Sequence, residues 1–168
     1  VEFDHVSFHY PDAEENVLCN ITFTAQPGQT TAFIGTTGSG KSTIVRLIPR
    51  FYDVTEGAIC IDGVDIRSLP QQELRAQIGY VPQRSNLFTG SIESNLRLGD
   101  ENATSEELSR AAEIAQVLDF IQENPDGMAM AIAQGGTNVS GGQRQRLAIA
   151  RALVAQAPIY IFDDSFSA

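Results

Sequence analysis

The single lysine of the chain, Lys41, stands inside Gly35-Thr36-Thr37-Gly38-Ser39-Gly40-Lys41-Ser42-Thr43. The spacing G-x-x-x-x-G-K-[ST] suits one chemistry, the cradling of phosphate groups. Its glycines let the backbone curl so that successive N–H groups face inward at phosphate oxygens. A helix starting there adds a positive dipole end and unpaired donors. Lys41 is placed to reach terminal phosphates, and the Ser42 hydroxyl to hold Mg²⁺. An ordinary Gly/Ser-rich loop is the alternative. The flanks oppose it: a strand-like run, Thr31–Ile34, precedes the turn, and a helix-like segment, Thr43–Phe51, follows it.

A second candidate is the acidic pair Asp163-Asp164, which closes the apolar run Ile159–Phe162. Parallel α/β sheets bind ligands at the carboxyl ends of their strands. On that edge Asp163 is expected to hold Mg²⁺ beside Ser42, through water, and Asp164 to orient or deprotonate an attacking water. Capping of the following turn is the plain structural reading. The third candidate is Ser140-Gly141-Gly142-Gln143. Ser140 and Gln143 have capping-box spacing, which explains them without a ligand. It does not explain two glycines, each costing about 1 kcal/mol against alanine in a helix. Two phosphate-seeking helix starts exceed one nucleotide's need, and a dimer that shares them would resolve the surplus.

The elements that position these residues follow from pattern. Val6, Phe8 and Tyr10 alternate with Ser7 and His9 as in a half-buried strand, and Leu18–Phe23 forms a second strand. A short strand over Ala58–Ile61 ends at Asp62-Gly63, and Leu69-Pro70 opens a helix. Ile78–Val81 reads as a buried strand ending at Pro82-Gln83. From Asn102 to Ile121 the pattern is helical, with a Thr104/Glu107 capping box and one apolar face. A further helix runs to about Gln156, where Pro158 stops it. The alternation predicts an α/β fold with a mostly parallel sheet, an N-terminal antiparallel β subdomain and a helical lobe between Gln83 and Ser140. Tyr10, at its strand end, is either a half-buried aromatic or a stacking platform for a base.

Bulk properties narrow the field. In 168 residues the net charge is −10, which opposes sequence-independent nucleic-acid binding. Hydrophobic content of 42% with 19% charged residues suits a globular domain. Cys19 and Cys60 form no C-x-x-C and fit a reducing compartment more than a disulfide framework, and His5 and His9, without a ligand cluster, read as structural. No apolar run is long enough to span a membrane, no signal peptide is visible, and both ends read as cut within a pattern.

Taken in order, Tyr10, Gly35–Thr43, Gln83, Val139–Gln143 and Ile159–Asp164 resemble the nucleotide-binding domains of ABC transporters, a P-loop NTPase (RecA-like) fold, across essentially the whole chain. Ser140–Gln143 with Arg144-Gln145-Arg146 sets this family apart from P-loop kinases and GTPases. The run Leu87–Leu96 resembles the exporter branch rather than soluble ABC-type ATPases acting on nucleic acid or ribosomes. The resemblance implies ATP and Mg²⁺ as ligands, Tyr10 stacking on adenine, and Gln83 touching Mg²⁺ or the attacking water. Ser140 and Gly142 would contact ATP held by a second nucleotide-binding domain. A transmembrane domain would meet residues 84–97 and the helical subdomain, at the cytoplasmic face of a membrane. The divisions it implies are 1–83, 84–138 and 139–168 within one truncated domain. Three departures stand out: Asp164 where the family has Glu, Gln134-Gly135-Gly136 where exporters often carry an acidic residue, and an end at Ser165–Ala168, before the D-loop aspartate and the switch histidine. The first two resemble the degenerate half of a heterodimeric exporter, and the fragment alone is expected to be inactive.

Overall fold

A computed structural model of the chain describes residues 1–164. The expectation about Ser165–Ala168 lies outside the described residues. The chain divides into two compact units, Val1–Arg75 and Ala76–Ala168.

The first unit is built on a four-stranded antiparallel sheet in the order β2-β1-β3-β4. Its strands are β1 (Glu2–Phe8), β2 (Leu18–Thr24), β3 (Glu56–Ile61) and β4 (Val64–Asp65). Phe3, Val6 and Phe8 are all buried, although Phe3 and Val6 are three residues apart. Strict alternation would turn one of them outward. The pairing slips between them, and His5 takes a φ of 48°, so an extra residue restores the inward face. Gly57 serves the same irregularity. It has φ +78°, and a Cβ there would run into the Asp4 and His5 carbonyl oxygens. The hairpin between β3 and β4 turns on Asp62 and Gly63, both at positive φ, as a right-twisted two-residue hairpin requires.

Helix α1 (Lys41–Leu47) follows the glycine-rich loop. It is shorter than the pattern Thr43–Phe51 suggests. Arg50 adopts φ 55°, its N–H bonds to the Leu47 carbonyl at 3.0 Å, and the Phe51 N–H bonds to the Arg46 carbonyl at 3.2 Å. That pair of reversed bonds closes a helix. The run Thr31–Ile34 is not in a sheet. Among the described residues no strand of its unit pairs with it; Phe33 packs on Phe23 at 5.1 Å, while Ile34 is 93% exposed. Without a partner strand, apolar and β-branched residues favour an extended backbone but cannot form a ladder.

Helix α2 (Gln71–Ala76) begins directly after Pro70 and leads to β5 (Ile78–Val81). In the second unit β5 pairs in parallel with β8 (Ile159–Phe162), both within the expected bounds. Two short strands, β6 (Gly90–Ser91) and β7 (Ala131–Ile132), form a separate antiparallel pair. The helices are α3 (Ile92–Leu96), α4 (Ser105–Ile114), α5 (Leu118–Glu123) and α6 (Gly141–Val154). The single helix expected to Ile121 is two, because Gln116 turns left-handed at φ 57° between α4 and α5. Leu96, Leu108, Ala112, Ile121, Leu147 and Val154 belong to one core among these helices. The Thr104/Glu107 capping box is formed in both directions, at 2.7 and 3.2 Å. Among the described residues no helix is long and apolar enough to cross a membrane.

Candidate functional site

In the first unit the glycine-rich loop is shaped by its backbone and closed by its lysine. Gly38 and Gly40 have φ of 83° and 88°, a region side chains rarely adopt. A Cβ on Gly40 would also meet Leu18 Cδ2 at 2.8 Å, and one on Gly35 would meet Ser39 Oγ at 2.7 Å. The Lys41 ammonium donates to the Gly35 carbonyl at 2.9 Å and the Thr36 carbonyl at 2.7 Å, with Ser39 Oγ at 3.5 Å. Thr36, Thr37 and Gly38 are exposed, Ser42 is half-buried, and Thr43 is buried on α1. A cation that already gathers several oxygens at the start of a helix can gather phosphate oxygens in the same way.

Tyr10 lies just past β1 and is half-buried. Its ring meets Phe8 edge-to-face at 5.0 Å and Tyr52 at 5.2 Å, and its hydroxyl lies 3.0 Å from that of Thr43. Tyr52 was not legible as a site neighbour. The only signal is an aromatic pair, Phe51-Tyr52, after α1.

In the second unit the parallel pair delivers four polar side chains to one strand edge. Val81 stands opposite Phe162, so Pro82-Gln83 and Asp163-Asp164 leave the sheet together. Asp163 is buried; its N–H bonds to the Val81 carbonyl, and its Oδ2 accepts from the Tyr80 hydroxyl at 3.2 Å. Asp164 is exposed at φ 48°, and its Oδ2 accepts from Gln83 Nε2 at 2.9 Å. The structure therefore brings Gln83 and Asp164 into direct contact. Tyr80 is a member of this cluster that sequence reasoning missed, because alternation in a four-residue strand does not say which side chain meets the carboxylate.

Helix α6 opens with the Ser140/Gln143 capping box, with bonds of 2.9 and 3.2 Å. A Cβ on Gly141 would meet nothing within 4 Å, and one on Gly142 only the Arg146 guanidinium at 3.8 Å. Nothing among the described residues therefore requires glycine at either position. The preceding Gln134–Gly136 turn is different. Gly135 and Gly136 have φ of 67° and 68°, Arg144 donates to the Gly135 carbonyl at 3.1 Å, and a Cβ on Gly136 would press on Arg144 and Leu87.

The segment after Gln83 is held by a buried amide. Asn95 accepts from the Phe88 N–H at 2.8 Å and donates to the carbonyls of Phe88 and Ser91 at 2.8 and 2.9 Å. Arg151 donates to the Asn86 carbonyl at 3.1 Å and lies 5.9 Å from the Phe88 ring centroid; burial pulls its pKa below the ordinary arginine value. Phe88 itself is 61% exposed.

The sequence pattern of the family described as ABC transporter matches residues 18–167. The chain belongs to the ABC transporter family. A similar relative of this ABC transporter domain is an uncharacterized ABC transporter ATP-binding protein of Mycobacterium tuberculosis (strain H37Rv), 52% identical over 165 residues, covering 96% of the chain and 28% of the relative. An ATP-dependent lipid A-core flippase of Chromobacterium violaceum is 44% identical over 168 residues, covering 100% of the chain and 29% of the relative. Among solved structures, a bacterial Atm1-family ABC exporter with ATP bound superimposes with a TM-score of 0.95 at 43% identity, over 99% of the chain and 29% of that exporter. The chain thus spans under a third of the length of these proteins. The fold is that of an ABC ATPase domain of the P-loop class.

Proposed function

We propose that this chain is the ATP-binding and ATP-hydrolysing domain of an ABC exporter, which dimerises on ATP and drives transport across a membrane from its cytoplasmic face. The observation that carries the reading is the pair of glycines that opens α6. Their positions have room for side chains, so what they leave bare faces a ligand from outside the chain. That ligand is ATP held on a second nucleotide-binding domain. The loop Gly35–Thr43 takes the phosphates of the chain's own ATP, with Lys41 on the terminal ones, and Tyr10 stacks on the adenine. Ser140, Gly141, Gly142 and Gln143 serve the partner's nucleotide.

Ser42, Asp163 and Gln83 are the residues that would hold Mg²⁺. They are hard oxygen donors with one carboxylate, the set this ion takes together with phosphate oxygens. When bound, it neutralises charge on the phosphate oxygens. Gln83 orients both the water and Asp164, to which it is already bonded. The segment 84–97, held by Asn95, and the helical lobe face the transmembrane domain.

Asp164 is shorter than Glu by one methylene, and a displaced base forfeits much of the roughly 10²–10⁴-fold that general-base positioning contributes. Its own site therefore hydrolyses slowly, and a heterodimer supplies the faster site through a partner with Glu at that position. The test is turnover of the full-length pair. Asp164→Ala is expected to change ATPase activity little, whereas replacing the partner's catalytic residue abolishes it. An equally severe loss from Asp164→Ala would overturn the slow-site reading.

A further inference from the structure

The hydroxyls of Tyr10 and Thr43 lie 3.0 Å apart, one donating to the other, across 33 residues of sequence. We propose that Thr43 is a positioning residue for Tyr10, fixing the tyrosine ring as a platform for the adenine base from the helix that follows the phosphate loop. The proposal rests on the reading of Tyr10 as the base-stacking residue.

The geometry gives the bond its purpose. Tyr10 stands two residues past Phe8, the last residue of β1, where the sheet no longer holds the backbone. Among the described residues its ring has two aromatic neighbours, Phe8 and Tyr52, at interplanar angles of 79° and 90°. Edge-to-face contacts hold a ring in place but tolerate rocking. The hydroxyl is the far end of the ring, and tethering it supplies the third point that fixes the plane. Thr43 is suited to be that anchor because it is buried and β-branched, with a restricted χ1 on a helix. It also sits one residue past Ser42 and two past Lys41. One helix therefore carries the phosphate-binding side chains and sets the ring on which the base rests. The distance between the two ends of the nucleotide site is fixed within the first unit.

The test compares the affinities of the full-length protein for ATP and for inorganic tripolyphosphate, which lacks a base. Tyr10→Ala is expected to weaken ATP binding by about tenfold or more and to leave tripolyphosphate unchanged. Tyr10→Phe and Thr43→Val should each weaken ATP binding about three- to tenfold, the worth of one neutral hydrogen bond. Thr43→Ser should restore it, and the double variant Tyr10→Phe/Thr43→Val should be no weaker than the weaker single one. If Tyr10→Ala binds ATP like the wild type, the base-stacking reading itself fails. If Tyr10→Ala is weak but Tyr10→Phe is not, base stacking stands and the positioning role is overturned. The role is also overturned if the effect of Thr43→Val adds fully to that of Tyr10→Phe. Should Thr43→Val not fold, the comparison of Tyr10→Phe with Tyr10→Ala decides alone.

Discussion

Replacing Gly141 and Gly142 together by alanine should stabilise the chain while removing its contribution to ATP turnover. Both residues lie in the first turn of α6, and neither has a positive φ. A Cβ on Gly141 meets nothing within 4 Å, and one on Gly142 approaches only the flexible end of Arg146 at 3.8 Å. Steric cost is therefore absent, and the gain is the reduced conformational entropy of the unfolded chain. Glycine is worse than alanine by about 0.5–1 kcal/mol inside a helix, and less in its first turn. The double variant should gain about 1 kcal/mol, which for a domain of this size raises the unfolding midpoint by about 2–4 °C. Thermal unfolding without nucleotide reads that gain, and steady-state ATPase activity of the full-length protein reads the loss. A lower midpoint would mean that the glycines serve the fold. Unchanged activity would mean that no ligand approaches the opening of α6. Either result contradicts a ligand-facing role for Gly141 and Gly142.

Gly57→Ala should be strongly destabilising, by about 3 kcal/mol or more, because it combines a positive φ with a Cβ driven into two carbonyl oxygens of β1; urea unfolding would measure it. Glu107 gives a pH dependence. Its carboxylate accepts from the Thr104 N–H, the Thr104 hydroxyl and Gln156 Nε2, which hold its pKa below the ordinary 4.5. A depressed carboxylate stabilises the fold fully above its unfolded pKa and loses that stabilisation as pH falls through the folded one. The stability difference between wild type and Glu107→Gln should be constant above pH 4.5 and shrink below it. A difference that grows on acidification would contradict the assignment.

What the sequence made legible was local chemistry. The Thr104 and Ser140 capping boxes need only two side chains at fixed spacing, and both are formed. The strands Ile78–Val81 and Ile159–Phe162 are short apolar runs bounded by turns, and both form within the expected bounds. Helix ends were harder to read. Arg50, Gln116 and Gln156 adopt left-handed φ of 55°, 57° and 46° without being glycine. At Arg50 and Gln116 the usual sign of a helix stop is therefore missing, whereas Pro158 marks the end near Gln156. Contacts across long stretches were not legible at all. Tyr10 with Thr43, and Tyr80 with Asp163, depend on which strand neighbours which, and no spacing encodes that. The run Thr31–Ile34 shows the converse, a strand-like pattern without a ladder partner in its unit. At the acidic pair, sequence named Gln83 and Asp164 separately; their direct bond comes from the parallel register of β5 and β8.

Nucleotide binding at the loop closed by the chain's only lysine is the claim on which the others depend. Equilibrium binding of Mg-ATP to the full-length protein, wild type against Lys41→Ala, tests it directly. Saturable binding that is lost in the variant is the expected result, with an unaltered unfolding midpoint in the absence of nucleotide. Equal affinity in the two proteins would contradict it.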